Sequence, residues 1–286
     1  MPSFRYRVVD VFTECPLEGN PLAVFPDGSL LDPALMPRIA KELNLSETVF
    51  ILPSARPECA ARLRIFTPSD ELIFAGHPTI GSACVLMDEG IVPRGQKEFA
   101  VEEGVGPVPV RVDDLIWLRT PPIEFGQRYD PAVCAAALGL ERAEMLGPEP
   151  QLVTAGNPFI FVALRDRPAV DRAFLEREGM RRIRQWGPHV NGLFVFTPMP
   201  EGAYSRFFAP EHGIAEDPAT GSATGPLAAY MLRHHLVARP WFVSEQGVKM
   251  GRRSLLHVRI SREGSAEVIE VGGSVIPLVE ATMRLP

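Results

Sequence analysis

The sequence predicts an α+β protein made of two similar halves. Three observations support this. Short segments recur in the same order about 140 residues apart, most apolar patterns have the alternation of β-strands, and 286 residues suffice for two domains. An apolar fraction of 46% and a charged fraction of 22% are ordinary for a globular protein, so each half can bury a core.

The clearest repeat is a heptapeptide. HPTIGSA at 77–83 is nearly repeated as DPATGSA at 217–223, a shift of 217 − 77 = 140 positions. Four further pairs keep the order: GNP at 19–21 and 156–158, VFILP at 49–53 and FVFTP at 194–198, RIFTP at 64–68 and RFFAP at 206–210, and EEGV at 102–105 and EQGV at 245–248. One match could arise because Gly and Pro recur in turns. An ordered series with offsets from 137 (156 − 19) to 145 (194 − 49) indicates an internal duplication.

The predicted elements follow the same plan in both halves. Asp32-Pro33 has the pattern of an N-cap followed by a proline at the first helical position, and an apolar face continues to Leu43. The predicted strands are 4–12, 21–25, 47–52, 60–66, 159–164 and 193–197, with a helical stretch near 170–184. Strands therefore outnumber helices.

The boundary between the halves is predicted near residues 115–125. Pro121-Pro122 follows the strand-like segment 116–119 and is the best linker signal. We expect an N-terminal lobe of residues 1–117 plus 273–286 and a C-terminal lobe of residues 118–272.

Charge and motifs exclude several classes of protein. The net charge of −6 is spread over mixed acidic and basic residues, which predicts no nucleic-acid or membrane partner and favours a small molecule. Residues 1–7 lack the pattern of a signal peptide and no apolar run reaches 18 residues, so a cytoplasmic protein is expected. The four cysteines lack metal-ligand spacing, and neither GxxxxGK[ST] nor GxGxxG occurs. No metal or cofactor is predicted.

The two heptapeptides predict two helix N-termini. In each, a proline follows an ionisable residue, His77 or Asp217, and small apolar residues continue over 79–87 and 219–235. Free N–H groups and a positive dipole end suit a substrate carboxylate, and small residues in the first turns, Gly81, Ser82, Gly221 and Ser222, would allow close approach. By themselves, Asp217 fits an ordinary N-cap and His77 a hydrogen-bonded loop residue.

Several segments closely resemble the signature of the PhzF family of phenazine biosynthesis-like isomerases. They are SET at 46–48, FAGHPT at 74–79 and EDPATGSA at 216–223, and the resemblance extends to GNP at 19–21, QGVKMGR at 246–252 and GGS at 272–274. It implies a diaminopimelate epimerase-like fold with two pseudo-symmetric lobes. Each lobe would be a mostly antiparallel, barrel-like sheet around a central helix, with the active site in the cleft between the lobes. The resemblance also implies a homodimer.

The resemblance assigns the acid/base role to Glu47. Related epimerases and racemases place a cysteine at each helix terminus, but His77 and Asp217 stand there in this chain, which disfavours two-thiol racemisation. His77 and Asp217 would bind polar groups of the substrate or relay protons. The resemblance implies that Ser46, Gly76, Gly221 and Ser222 donate hydrogen bonds to a substrate carboxylate.

The expected activity is an isomerisation by proton removal and return, without a cofactor. Two alternatives stay open at this point. One is a racemase or epimerase of an amino or hydroxy acid that uses Glu47 and Asp217 as opposed bases. The other is a non-catalytic protein that binds a small ligand on the same scaffold. The substrate is not determined by any short segment of the sequence.

Overall fold

The computed structural model describes residues 1–185, 190–264 and 266–285, and the chain divides into two compact units. Unit 1 comprises Met1–Arg119 and Gly272–Pro286, and unit 2 comprises Thr120–Val271. Strands dominate both units and helices are few, which confirms the predicted α+β class.

Unit 1 surrounds one long helix with strands. Its elements are β1 (Ser3–Val11), β2 (Asn20–Phe25), α1 (Met36–Leu43), β3 (Glu47–Leu52), β4 (Cys59–Phe66), β5 (Glu71–Leu72), α2 (Gly76–Asp88), β6 (Glu98–Glu103), β7 (Gly106–Val112), β8 (Ile116–Arg119) and β18 (Val275–Arg284). The strands pair in the order β18-β1-β2-β3-β4-β6-β7-β8, and β5 adds to β4. Helix α2 contacts both ends of this series, β18 and β8, so the sheet wraps around the helix.

Unit 2 repeats the plan around α6. Its elements are β9 (Glu124–Arg128), α3 (Pro131–Ala137), β10 (Gln151–Thr154), β11 (Pro158–Ala163), α4 (Arg167–Arg172), α5 (Arg177–Arg184), β12 (Gly192–Met199), β13 (Gly202–Ala209), β14 (Ile214–Asp217), α6 (Gly221–Arg233), β15 (Trp241–Gln246), β16 (Ser254–Glu263) and β17 (Ala266–Gly273), whose last two residues belong to unit 1. The strands pair in the order β9-β10-β11-β12-β13-β15-β16, and β14 adds to β13. Helix α6 contacts β10, β11 and β16.

The strand register reproduces the offsets of the sequence repeat. Glu47 lies opposite Leu22 in the parallel pair β2/β3, and Gly192 lies opposite Phe159 in the parallel pair β11/β12, with shifts of 192 − 47 = 145 and 159 − 22 = 137. In both units the same two pairings are parallel and the others antiparallel. Gly192 is therefore the structural counterpart of Glu47.

The core of unit 2 has a layer on each face of its sheet. Phe161 packs against both Phe194 and Tyr230 of α6 on the inner face. A second cluster with Cys134, Val170 and Ile183 places α3, α4 and α5 on the outer face. Unit 1 has the corresponding outer layer where α1 packs over Phe25 and Phe50. Apolar burial on both faces stabilises each sheet.

One predicted helix is divided in two. The sequence predicts a continuous helical stretch near 170–184, but α4 ends at Arg172 and α5 begins at Arg177. The prediction was wrong because the buried Arg206 guanidinium intervenes. Its Nη1 donates to the carbonyl oxygens of Val170, Asp171 and Ala173, and these bonds end α4.

Gly192 leaves no room for a side chain. A Cβ atom there would lie 2.2 Å from the carbonyl oxygen of Phe208 and 2.7 Å from the Phe207 ring. We expect Gly192→Ala to lower the free energy of unfolding by about 3 kcal/mol, because backbone cannot yield to the added carbon. Denaturant titration measures the loss. Gly147→Ala is the control, since its Cβ would meet nothing within 4 Å, and a change within about 0.5 kcal/mol is expected. Equal stability of the two variants would contradict the crowding at Gly192.

Candidate active site

Glu47 and His77 come together in unit 1. Glu47 is the first residue of β3 and His77 is the second residue of α2. The His77 Nε2 atom lies 3.2 Å from Glu47 Oε2, and the two side chains are 5% and 13% exposed. A carboxyl group and an imidazole thus share one nearly buried contact at the start of the central helix.

Asn20 and burial together determine the tautomer and the charge of this imidazole. Its Nδ2 atom lies 3.4 Å from His77 Nδ1, at the start of β2. Burial lowers the pKa of His77 to about 3, so the ring is neutral at neutral pH. Since the Asn20 amide nitrogen donates, Nδ1 accepts with its lone pair, and the proton of the neutral ring is assigned to Nε2, which faces Glu47. The contact is therefore one between a neutral imidazole and a carboxyl group at 3.2 Å, without the alignment of a hydrogen bond.

Helix α2 begins earlier than the sequence predicts. Pro78 is predicted at the first helical position, but Ala75 is the N-cap, with an extended backbone, and Gly76 is the first helical residue. Proline fits because no first-turn N–H has an acceptor inside the helix. His77 consequently lies within the first turn, beside the N–H groups that suit an anion.

Gly81 and Ser82 do not serve close approach by a ligand. A Cβ atom at Gly81 would lie 2.6 Å from Leu22 Cδ2 and 2.9 Å from a Val11 methyl group, and Ser82 is fully buried. The small residues let α2 pack against β1 and β2. This expectation from the sequence was wrong because the packing of the sheet uses the space.

Unit 2 contains a second set of polar contacts. Asp217 ends β14, Thr220 is the N-cap of α6, and the helix begins at Gly221 rather than at Pro218. Thr220 Oγ1 donates to Asp217 Oδ2 over 2.6 Å. The Gln246 amide donates to the Asp217 carbonyl (2.8 Å) and to Thr220 Oγ1 (2.9 Å), and it accepts from the Thr220 N–H (3.1 Å). These bonds hold residues 217–220 outside the helix, so Asp217 is not an N-cap.

An ion pair anchors the chain just before Asp217. The Arg206 guanidinium binds Glu216 through two contacts of 2.8 Å. Unit 1 has the same fork between Arg64 and Glu71, with contacts of 2.7 and 2.8 Å. Bidentate pairs fix both position and orientation. In unit 2 the fork is adjacent to Asp217, whereas in unit 1 it lies six residues before His77.

The other predicted site residues lie beside these groups. Ser46 directly precedes Glu47 and is half-buried, and Gly76 precedes His77. Gly221 and Ser222 are the first two residues of α6. Ser46, Glu47, Gly76 and His77 thus belong to unit 1, and Asp217, Gly221 and Ser222 to unit 2.

Three residues of the network were missed in the sequence. Asn20, Thr220 and Gln246 all lie in or beside repeated segments. The repeat was a signal for them, but its turns and strand ends gave no reason to select polar side chains. The described part of the chain has no group of three His, Cys, Asp or Glu residues that could hold a metal ion. None of the helices within it is long and apolar enough to cross a membrane.

Solved structures define the class of fold. A PhzF-family phenazine biosynthesis protein of Bacillus anthracis superposes with a TM-score of 0.90 at 22% identity, over 100% of both chains. A hydroxyproline epimerase from Agrobacterium vitis superposes with a TM-score of 0.63 at 13% identity, over 98% of this chain and 92% of its own. These likenesses show the fold alone: it is the epimerase-like fold of two similar units.

Sequence comparison narrows the class to a family. Residues 9–281 match the PhzC-PhzF model, described as phenazine biosynthesis-like protein, and the chain belongs to this family. It is 34% identical over 299 residues to a trans-2,3-dihydro-3-hydroxyanthranilate isomerase of Pseudomonas aeruginosa, covering 98% of this chain and 99% of that one. The protein is an isomerase of the PhzF type.

The state of His77 can be measured directly. Since burial lowers its pKa to about 3, the imidazole should remain neutral as the pH falls from 8 to about 4, with its proton on Nε2. Nitrogen-15 NMR of histidine-labelled protein reports the tautomer, and His77→Gln identifies the signal. Asn20→Leu removes the donor to Nδ1 and should populate both tautomers. An imidazolium signal from His77 at pH 6 would contradict this arrangement.

Proposed function

We propose that the protein is a cofactor-independent isomerase that moves a proton within a small substrate bearing a carboxylate, with Glu47 as the proton carrier. The observation that carries the proposal is the 3.2 Å contact between Glu47 and the buried His77. A neutral imidazole 3.2 Å away orients the Glu47 carboxyl group without placing a positive charge beside it. A general base needs this combination of orientation and retained basicity.

The proposed reaction has two proton transfers. Ionised Glu47 takes a proton from a carbon activated by an adjacent double bond or carbonyl. The C–H bond breaks, its electron pair moves into the conjugated system, and the carboxyl group becomes neutral. Glu47 then returns the proton to a different carbon of that system, which relocates the double bond and regenerates the carboxylate. Electrons and protons balance without an external oxidant or reductant.

The substrate carboxylate is assigned to the helix starts. Gly76 in unit 1 and Gly221 in unit 2 begin the two central helices, with Ser46 and Ser222 beside Glu47 and Gly221. Hydroxyl groups and first-turn N–H groups are good donors to an anion. We extend the proposal to a single substrate that both half-sites bind, and to a cytoplasmic homodimer.

Gly192 favours a single carrier over symmetric bases. It occupies the position of Glu47 in the other copy, and its surroundings exclude even a Cβ atom. The duplication therefore retains one carboxylate at this position. A racemase would use Glu47 and Asp217 as its two bases, although these residues are not counterparts in the duplication. It is therefore the second candidate. The first compound to test is trans-2,3-dihydro-3-hydroxyanthranilate, the substrate named for the Pseudomonas aeruginosa relative.

Glu47→Gln should abolish proton transfer. The amide cannot act as a base, and the loss of general acid/base catalysis predicts a fall in kcat of about 10² to 10⁴. Turnover in deuterated water, followed by NMR, shows where deuterium enters and whether a double bond moves. Glu42→Gln is the control, because Glu42 is an exposed carboxylate on α1. Full activity of Glu47→Gln would overturn the assignment. Deuterium at a stereocentre without a shifted double bond would support the racemase, and binding without exchange would support a binding protein.

Asp217→Asn tests whether unit 2 acts on the same substrate. The amide can still accept the hydrogen bond from Thr220, so the fold should persist. If Asp217 binds or relays a proton, kcat/KM should fall at least tenfold, which corresponds to about 1.4 kcal/mol of transition-state stabilisation. Steady-state kinetics and circular dichroism provide the measurement. Unchanged kcat/KM would exclude Asp217 from the reaction.

A further inference from the structure

Glu103 and Gln246 are the two copies of one buried position. They are related by 246 − 103 = 143, the shift of their segment in the repeat, and each is the last residue of an equivalent strand, β6 or β15. Glu103 is 5% exposed and Gln246 is fully buried. The duplication has placed a carboxyl group in unit 1 where unit 2 has an amide.

Both side chains bind the start of a central helix. In unit 2, Gln246 binds Asp217 and Thr220 as both donor and acceptor. In unit 1, Glu103 Oε1 contacts the hydroxyl group of Thr79, in the first turn of α2. The Glu103 carboxyl group also hydrogen-bonds the backbone of Ala75, the N-cap of that helix. In the chain, His77 lies between Ala75 and Thr79, the two residues that Glu103 contacts.

The contacts of Thr79 require an additional proton. Its hydroxyl oxygen lies 2.5 Å from both the Ala75 carbonyl oxygen and Glu103 Oε1. A hydroxyl group has one proton to donate, and a carbonyl oxygen can only accept. Both contacts are full two-centre hydrogen bonds only if the Thr79 proton goes to Ala75 and Glu103 donates a proton of its own to Thr79. A neutral carboxylic acid is also a donor and an acceptor, like the Gln246 amide.

The surroundings of Glu103 favour the neutral acid. Burial raises the pKa of its carboxyl group to about 8, and the hydrogen bonds to Thr79 and Ala75 offset only part of this effect. Among the described residues, Glu103 has no ion pair. Arg64 is held by Glu71, and His77 is neutral. The ionisable residues on the elements around the end of β6 are Glu47, Arg62, Arg64, Glu71, His77, Glu102 and Arg111.

We infer that Glu103 is a positioning residue for His77 and that it works as a neutral carboxylic acid. Its hydrogen bonds hold the start of α2, as those of the Gln246 amide hold Asp217 and Thr220 in unit 2. Only the expected effect of Glu103 on turnover rests on the proposed function. A neutral group fixes Ala75 and Thr79 without adding charge beside the Glu47–His77 pair. An ionised Glu103 would favour the imidazolium form of His77 and turn its neutral contact with Glu47 into an ion pair.

The protonation state can be tested without substrate. Infrared spectroscopy should show the C=O stretch of a protonated carboxylic acid in the wild-type protein at pH 6.5, and this band should disappear in Glu103→Gln. The band should titrate away near pH 8. Glu98→Gln, which makes the same change at an exposed position on β6, should retain the band. No difference in the band between wild type and Glu103→Gln at pH 6.5 would show that Glu103 is ionised and would overturn the inference.

Stability provides a second readout. A folded-state pKa above the unfolded value means that stability is lost as the pH rises from about 4.5 towards 8. Glu103→Gln removes this loss and should raise the Tm at pH 8 relative to wild type by roughly 5 °C or more, with the difference vanishing near pH 4.5. Gln246→Glu should introduce the same pH-dependent loss into unit 2. An equal Tm of Glu103→Gln and wild type at pH 8 would contradict the neutral acid.

Positioning is tested by His77 itself. Glu103→Gln should keep the Nε2–H tautomer of His77 in nitrogen-15 NMR and most of the turnover at pH 6.5. We expect wild-type kcat to fall near pH 8, where Glu103 ionises, and Glu103→Gln should remove this fall. Glu103→Leu, which cannot hydrogen-bond, should disturb the tautomer and lower kcat at least tenfold. If Glu103→Leu does not fold, the pH dependence of kcat in Glu103→Gln decides the point. An unchanged His77 spectrum in folded Glu103→Leu, or an alkaline fall in kcat that persists in Glu103→Gln, would reject the positioning role. Absence of wild-type turnover would reject the proposed function instead.

Discussion

The 3.2 Å contact between His77 and Glu47 joins the first turn of α2 to the first residue of β3, so its geometry depends on how firmly the helix is held in the sheet. Gly81 allows α2 to approach β1 and β2 closely, and Asn20 at the start of β2 contacts the far side of the His77 ring. Burial then keeps the imidazole neutral. The scaffold thus determines the protonation state of the group that contacts the proposed proton carrier.

The duplication separates what serves the fold from what serves the chemistry. The pairing pattern, the central helix and the bidentate Arg–Glu fork are the same in both units. The differences fall on a few polar positions: Glu47 corresponds to Gly192 and Glu103 to Gln246. At position 192, packing tolerates only glycine. At positions 103 and 246, we infer that a carboxylic acid and an amide serve alike as a neutral group that both donates and accepts hydrogen bonds.

Predictions from the sequence were accurate where the pattern is local. The bounds of β3 were predicted exactly as 47–52, because its apolar residues end at Pro53. Predictions failed where a distant side chain decides the local structure. Arg206 ends α4, although it lies 36 residues from Val170. The contact of Gln246 with Thr220 delays the start of α6, although these two residues lie 26 positions apart. Glu103 looked like one acidic residue among several on β6, since neither its burial nor its contact with Thr79 has a local signature.

The sequence by itself determined the family and the duplication, and it selected Glu47, His77 and Asp217 as candidate site residues, because the motifs that contain them are specific strings. Only the tertiary structure decided which atoms of these residues meet, which tautomer His77 adopts, and why Gly192 carries no side chain. These properties arise from burial and from contacts between residues far apart in the chain. Desolvation and hydrogen bonding act through space, so residue order does not encode them directly.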